Sequence, residues 1–404
     1  MKLLFLSQYF PPEMGAPQAR ISELGIRLVK KGHQVTVITA MPNYPQGRIF
    51  DEYRGKIFVS EHYNGIKVLR SWIYPTKSIN VLKRIICYFS FVISSAFMGT
   101  FVGKQDILVV ESPPLFLGLS GIYLSFILKA KMIFNVSDLW PDSAIELGVI
   151  SNKIFIALAR GIEKTCYRFS SVITGQSPTI VEKIIQRTKS KKIELITNGV
   201  DTERFSPVLR RKEIKNRFGL ENKFVVVYAG LFGIAQGIGQ ILDAAKLLME
   251  NRGIFFLLIG DGPEKGSLIN RIEHEKISNV KIVSSVSRDE IPPILASMDL
   301  AIITLKKEIT GAVPSKIYEA MASGLPIIFV GYGDGATIVT NSAIGVVVKP
   351  GEIADIVKYI RYLHDNPLLL KSMAEKGVNL AHASFSRNRI AEKLEEIIFD
   401  TLKI

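Results

Sequence analysis

Short apolar runs rich in β-branched residues alternate with stretches of helical period, and the alternation recurs in both halves of the chain. A strand covered by helices on both faces has no polar side, so it reads as an unbroken apolar run. A series of such runs separated by helices predicts parallel, doubly wound α/β sheets. Strands are expected at 1–6, 35–39, 66–69, 106–110, 131–136, 171–174 and 193–197. A second series is expected at 224–228, 255–259, 280–283, 300–304, 326–330 and 345–348. Between the series, around 197–213, Asn-Gly and Ser-Pro turns and a charged run replace the apolar periodicity, so a domain boundary is placed there. The expected division is 1–202 and 203–385, with a last helix over 386–404 whose Ile390, Leu394, Ile397 and Ile398 share one face. A length of 404 residues fits two domains. The opening apolar run is too short for a signal peptide and is read as the first strand.

Charge is distributed unevenly. Residues 1–200 carry 25 Lys and Arg against 13 Asp and Glu, an excess of 12, within a total of +14. A basic amino-terminal half predicts an anionic partner. An anionic membrane surface or a lipid pyrophosphate fits it, and nucleic acid ranks last, because no nucleic-acid motif or interleaved basic and aromatic pattern accompanies the charge. Two uncharged runs, 85–103 and 112–128, stand where an α/β domain needs crossover helices. The first approaches the length of a membrane span, but Ser90, Ser94, Ser95, Gly99 and Gly103 weaken it. Packed helix, interfacial insertion and span are all open; a docking helix on the inner face of the plasma membrane is preferred. The two cysteines, Cys87 and Cys166, allow one bridge at most, which suits a cytoplasmic setting.

The stretch 310–326, TGAVPSKIYEAMASGLP, reads as a tight loop, a short helix and a turn into a buried strand. Pro314 suits the first helical position and Gly324 a left-handed cap. Free backbone N–H groups around Pro314 and Ser315, with the charge of Lys316, can hold a phosphate. One turn on, Glu319 offers acceptors for a pair of sugar hydroxyls. One element can thus hold a diphosphate and the adjacent ribose; a solvated Lys and Glu on an ordinary amphipathic helix is the other reading.

Further motifs stand at strand ends. The loop GLFGIAQG at 230–237 lets backbone approach a phosphate at Gly230 and Gly233, and Gln236 lies in it. The turn at 259–264 is read as structural, and Ser284 follows another strand. In the other half, DLWPD at 138–142 offers Asp138, Trp140 and Asp142 to bind a sugar, or else a helix cap and a core Trp. Gly15 and Arg20 lie in the opening strand–loop–helix unit, which lacks the dinucleotide G-x-G-x-x-G spacing. Arg20 is read either as a phosphate contact or as a surface residue, and His33 as structural. No Asp-x-Asp dyad and no His/Cys spacing for a metal occurs, so a metal-independent reaction with no cofactor is expected.

These motifs resemble glycosyltransferase family 4 over nearly the whole chain. The subgroup with Pro-Ser-Lys-Ile at 314–317 is similar to bacterial O-antigen and capsule transferases of the N-acetyl-L-fucosamine type. The resemblance implies a GT-B fold, two Rossmann-like domains facing a cleft, with the last helix crossing back onto the first domain. It implies retaining transfer from a nucleotide-sugar of the UDP type to an undecaprenyl-diphosphate-linked glycan. It assigns the donor to Gly15, Gly230, Gly233, Gln236, Ser284, Pro314, Ser315, Lys316 and Glu319, with the base recognised by main chain near Ser284. Asp138 and Lys316 are the expected catalytic residues, and Trp140, Asp142 and Arg20 the acceptor contacts. The chain departs from the family twice. Leu231 or Phe232 and Gln236 replace an Arg and a Lys that neutralise the diphosphate, and Gly311 replaces the first of two paired glutamates. Relocation of the charge to Lys316 is expected. A nucleotide-sugar epimerase and a non-catalytic nucleotide-sugar binder remain as alternatives.

Overall fold

Strand formation follows burial. In the computed structural model, which describes residues 1–78, 80–188 and 191–403, β1 (Lys2–Leu6), β2 (Gln34–Ala40), β3 (Phe58–Tyr63), β4 (Ile66–Ser71), β5 (Ile107–Ser112), β6 (Lys131–Val136), β7 (Val172–Gly175) and β8 (Lys192–Leu195) form one sheet in the order β3-β4-β2-β1-β5-β6-β7-β8. A second sheet, in the order β11-β10-β9-β12-β13-β14, contains β9 (Phe224–Ala229), β10 (Ile254–Ile259), β11 (Val280–Val283), β12 (Leu300–Thr304), β13 (Ile327–Val330) and β14 (Gly345–Val348). The centre of each sheet is closed to water: β5 and β12 are buried at every position. Every expected strand is present with its ends within two residues.

One strand was not expected. β3 pairs antiparallel with β4 through Asn64-Gly65, both at positive φ, which is the two-residue turn that matches strand twist. The first sheet is therefore parallel except at this edge. No position of β3 is buried, so it shows no apolar face in the sequence, although Asn-Gly marked the turn.

The chain divides into two compact units, one comprising Met1–Asn198 with Arg387–Ile404 and the other Gly199–Ser386. In the first unit α1 (Ala16–Lys30) and the C-terminal helix Arg387–Lys403 pack side by side. Leu24 and Leu28 of α1 share a buried cluster with Ile390, Leu394 and Ile398, and the Arg387 guanidinium bonds Glu23 at 2.6 Å. A different cluster lies beneath α2 (Val81–Gly99) and α3 (Leu117–Ile127), reaching Ala159 and Cys166 further along. The uncharged runs thus supply crossover helices. Among the described residues α2 is the one helix long and apolar enough to cross a membrane by length and composition. Among the described residues the remaining α-helices of this unit are α4 (Asp142–Glu146), α5 (Lys153–Phe169) and α6 (Pro178–Arg187).

Candidate active site

The second unit assembles its candidate site from the loop after β9 and the helix Ser315–Ala322. That helix begins one residue later than expected: Pro314 is its N-cap with φ −59°, and Ser315 is the first helical residue. It ends as the sequence indicates, with Gly324 at φ 71°. The Gly324 N–H bonds Met321 O and the Leu325 N–H bonds Ala320 O, each at 3.0 Å, the paired bonds of a Schellman cap. Ile317, Tyr318, Ala320 and Met321 anchor the helix in the core and leave Lys316 and Glu319 half-buried on the other side.

Lys316 extends across the glycine loop. Its Nζ stands 5.4 Å from the Tyr228 ring centroid, a cation–π contact. A Cβ on Gly230 would overlap Cε of Lys316 and come within 2.5 Å of its Nζ, so only glycine leaves room for this path. Gly230 also has φ 149°, which other residues rarely adopt. Burial pushes the Lys316 ammonium below the usual lysine range, and Glu319 pulls it the other way.

The turn at 259–264 zips this loop in place. The Phe232 N–H bonds Asp261 O at 2.9 Å, and the Glu264 N–H bonds Phe232 O at 3.0 Å. A Cβ at Gly260 would collide with Gly230 O, which makes the expected structural role concrete. Gly233 caps a short turn holding Gln236, whose carbonyl accepts from Thr304 Oγ1 at 2.6 Å. Lys306, an exposed cation that sequence reasoning overlooked, bonds Ala235 O through its N–H at 2.8 Å and so abuts the same loop. Ser284 is exposed and accepts from Lys265 Nζ at 2.8 Å. Beside it Asp261 takes Lys265 and both N–H and hydroxyl of Ser285, which hold its carboxyl down at about 2.

In the first unit the carboxyl ends of β5, β6 and β7 carry a buried polar network absent from the sequence expectations. Arg20 is neither a surface residue nor open for a phosphate. Its guanidinium pairs with Glu111 and bonds Ser137 Oγ at 3.1 Å, with both charged side chains buried. Asn135 donates to Glu111 Oε2 at 2.9 Å and accepts from Thr174 Oγ1 at 2.7 Å. Asp138 follows this network directly. Burial raises its carboxyl to about 6, against the pull of Arg20.

The other residues of that group are placed differently. Trp140 is half-buried in an aromatic cluster, 5.3 Å from Phe116 and 6.0 Å from Phe155 between centroids. Asp142 opens α4 and is taken up by two guanidinium groups, Arg160 at 2.7 Å and Arg187, which leaves it a structural ion-pair residue. Gly15 is the N-cap of α1 in extended backbone. His33 bonds Glu395 of the C-terminal helix at 2.8 Å. Glu13, in the loop before α1, is buried and accepts from the N–H groups of Asn43 and Tyr44 at 2.8 Å, fastening that loop to the end of β2. Desolvation nonetheless lifts it to about 7. Among the described residues no group of three or more His, Cys, Asp or Glu is arranged to hold a metal ion.

The architecture matches solved structures along its length: Anabaena HepE in complex with UDP and glucose aligns with a TM-score of 0.73 at 19% identity, over 99% of each chain. Residues 18–204 match the model described as Glycosyltransferase Family 4, and residues 210–379 match Glycosyl transferases group 1. The chain is a glycosyltransferase of the GT-B fold. Among sequence relatives, the putative colanic acid biosynthesis glycosyl transferase WcaI of Escherichia coli K12 is 26% identical over 89% of this chain and 91% of its own. The UDP-Gal:alpha-D-GlcNAc-diphosphoundecaprenol alpha-1,3-galactosyltransferase of Escherichia coli is 25% identical over 52% of this chain and 54% of its own, so that match spans about half of each protein.

Proposed function

We propose that this glycosyltransferase moves a sugar, an N-acetyl-L-fucosamine type or a related hexose, from UDP to an undecaprenyl-diphosphate-linked glycan with retention of configuration. The setting is the cytoplasmic face of the plasma membrane, in O-antigen, lipopolysaccharide or capsule assembly. The observation that carries the donor half of this reading is the path of Lys316 over Gly230, with Glu319 one turn on. Lys316 takes the place of the charge that Gln236 and the Leu231-Phe232 pair lack. As the bond to the sugar breaks, negative charge grows on the leaving diphosphate, and a fixed ammonium beside backbone N–H groups stabilises it. No metal ion is required for that step, and the leaving phosphate itself takes the acceptor's proton. Asp138 serves the transferred sugar or the acceptor, with Trp140 as the aromatic contact for either. The bound UDP of HepE and the diphosphoundecaprenol acceptor named for the Escherichia coli galactosyltransferase support the two substrate classes.

The test is a screen of nucleotide-sugars against extracted lipid-linked glycans, read by mass spectrometry. Gain of one sugar mass on a lipid diphosphate, with release of UDP, is the expected result. Conversion of the donor alone to an isomeric nucleotide-sugar means an epimerase. Binding without turnover on any lipid means a non-catalytic binder, the reading that the missing Arg and Lys would favour.

A further inference from the structure

The face of the first unit made by α2, α3 and α5 is unlike the rest of the surface. Along α2 the exposed residues Leu82, Ile86, Ile93, Phe97 and Phe101 fall at spacings of four and seven, one stripe on a helix continued past its end. On α3 Tyr123, Phe126 and Ile127 form a second stripe, and on α5 Ile154, Leu158 and Phe169 a third. Exposure is deep: 67% for Phe97, 64% for Phe126 and 74% for Ile154. The stripes are contiguous, because α3 packs against both other helices and the Phe126 ring lies 5.8 Å from that of Phe169. An apolar surface of this extent marks an interaction site.

Charge identifies what it meets. Lys83, Arg84, Lys104, Lys129, Lys153, Lys164 and Arg168 are exposed on and around these helices. Residues 80–105 and 115–131 contain no Asp or Glu. Across 153–169 the single acid is Glu163, buried and bonded to Arg187 and Tyr167. Apolar stripes on helices that expose cations and no acid are the pattern of a surface that lies in an anionic bilayer interface.

The same helices are held too firmly to cross it. Ser95 Oγ of α2 bonds Ser120 Oγ of α3 at 3.0 Å, Ser94 Oγ bonds Trp72 O at 2.5 Å, and Ser90 Oγ accepts from the Tyr74 N–H at 2.8 Å. A Cβ on Gly99 would collide with Leu124, so the two helices touch through that glycine. Phe91 is fully buried on the inner side. Ser90, Ser94, Ser95 and Gly99, which weaken a span in the sequence, are the groups that bind α2 to its own domain.

We propose that α2, α3 and α5 form one platform that lies flat in the interface of an anionic membrane, inserting Phe97, Phe126 and Ile154 without spanning. This deepens the lipid-linked acceptor reading, since it names the surface by which the enzyme reaches its acceptor. The test uses the purified full chain and vesicles of phosphatidylcholine, with and without phosphatidylglycerol. Expected are flotation with the anionic vesicles, a blue shift of Trp72 emission, loss of at least about tenfold in partitioning for Phe97→Ser with Phe126→Ser, and a similar loss for Lys83→Glu with Arg84→Glu. Carbonate should release all of the protein. Equal flotation of wild type and both variants, equal binding to neutral vesicles, or retention after carbonate would overturn the platform. Self-association abolished by the Phe variants, without flotation, would overturn it too and give the face to a second copy. UDP titration beside flotation separates the two proposals: UDP binding without flotation counts against the platform alone, and flotation without UDP binding counts against the donor reading alone.

Discussion

Lys316 and Gly230 are fitted to each other: the lysine side chain runs through the space that a Cβ on residue 230 would fill, and ends over the ring of Tyr228. Gly230→Ala should therefore act as a displaced lysine. Lys316→Ala is expected to weaken UDP binding by one to two decades, the loss of a charge-assisted hydrogen bond of about 1.5–3 kcal/mol. Gly230→Ala should reproduce most of that loss, and the double variant should be little worse than either alone. Titration calorimetry with UDP, beside thermal melts, checks this. Fully additive losses would show that Gly230 acts independently of the lysine.

Glu319→Gln tests the other half of the donor element. A carboxylate accepting from two ribose hydroxyls should lose about a decade of affinity for UDP when made neutral, and much less for uridine derivatives lacking those hydroxyls. Equal losses for ribose and deoxyribose ligands would place Glu319 elsewhere.

The low-lying Lys316 ammonium gives a pH dependence with a definite sign. Its pKa is lowered in the protein and should rise when the diphosphate binds. UDP affinity should thus fall with rising pH below the usual lysine range near 10.5, and binding in that window should take up protons. Calorimetry in buffers of different ionisation enthalpy measures the uptake; Lys316→Met should abolish it.

What the sequence disclosed and what it hid divide along one line. Strands buried on both faces announced themselves as apolar runs, and the cap at Gly324 was legible because one glycine conformation suffices to read it. β3 was missed because none of its positions is buried, so a period-two apolar pattern never forms. The Arg20 network was hidden for a different reason. Glu111 and Asn135 are partners in the β5–β6 ladder, and a register across 24 residues is a tertiary fact with no local signal. In DLWPD the residue types were readable but not their commitments: Asp142 is spent on Arg160 and Arg187, while Asp138 is not.

Breaking the buried pair should cost stability more than it costs donor binding. Removing Glu111 leaves the Arg20 guanidinium uncompensated, a loss of about 3–5 kcal/mol. Glu111→Ala should melt well below wild type, and adding Arg20→Ala should recover part of the difference. Denaturant melts of the two single variants and the double variant decide it; a double variant as poor as the sum of the singles would mean that the pair carries no coupling.

Asp138 gives the sharpest division between stability and function. Burial raises its carboxyl from 3.8 to about 6, so the folded protein prefers the protonated form. Between those values the native state binds more protons than the unfolded chain, and this group's contribution to stability falls as pH rises, reaching its least favourable level above about 6. At neutral pH the ionised Asp138 is thus a cost, which Asp138→Asn removes. The variant should melt higher than wild type at pH 7.5, and the difference should shrink as pH falls toward 4. Turnover should move the other way. If the ionised carboxylate acts on the sugar or acceptor, wild-type kcat falls below about pH 6, and Asp138→Asn lowers kcat throughout and flattens that acid limb, with UDP affinity unchanged. A purely structural Asp138 would give the melting result with an untouched pH profile of kcat, and that outcome would remove it from the catalytic assignment.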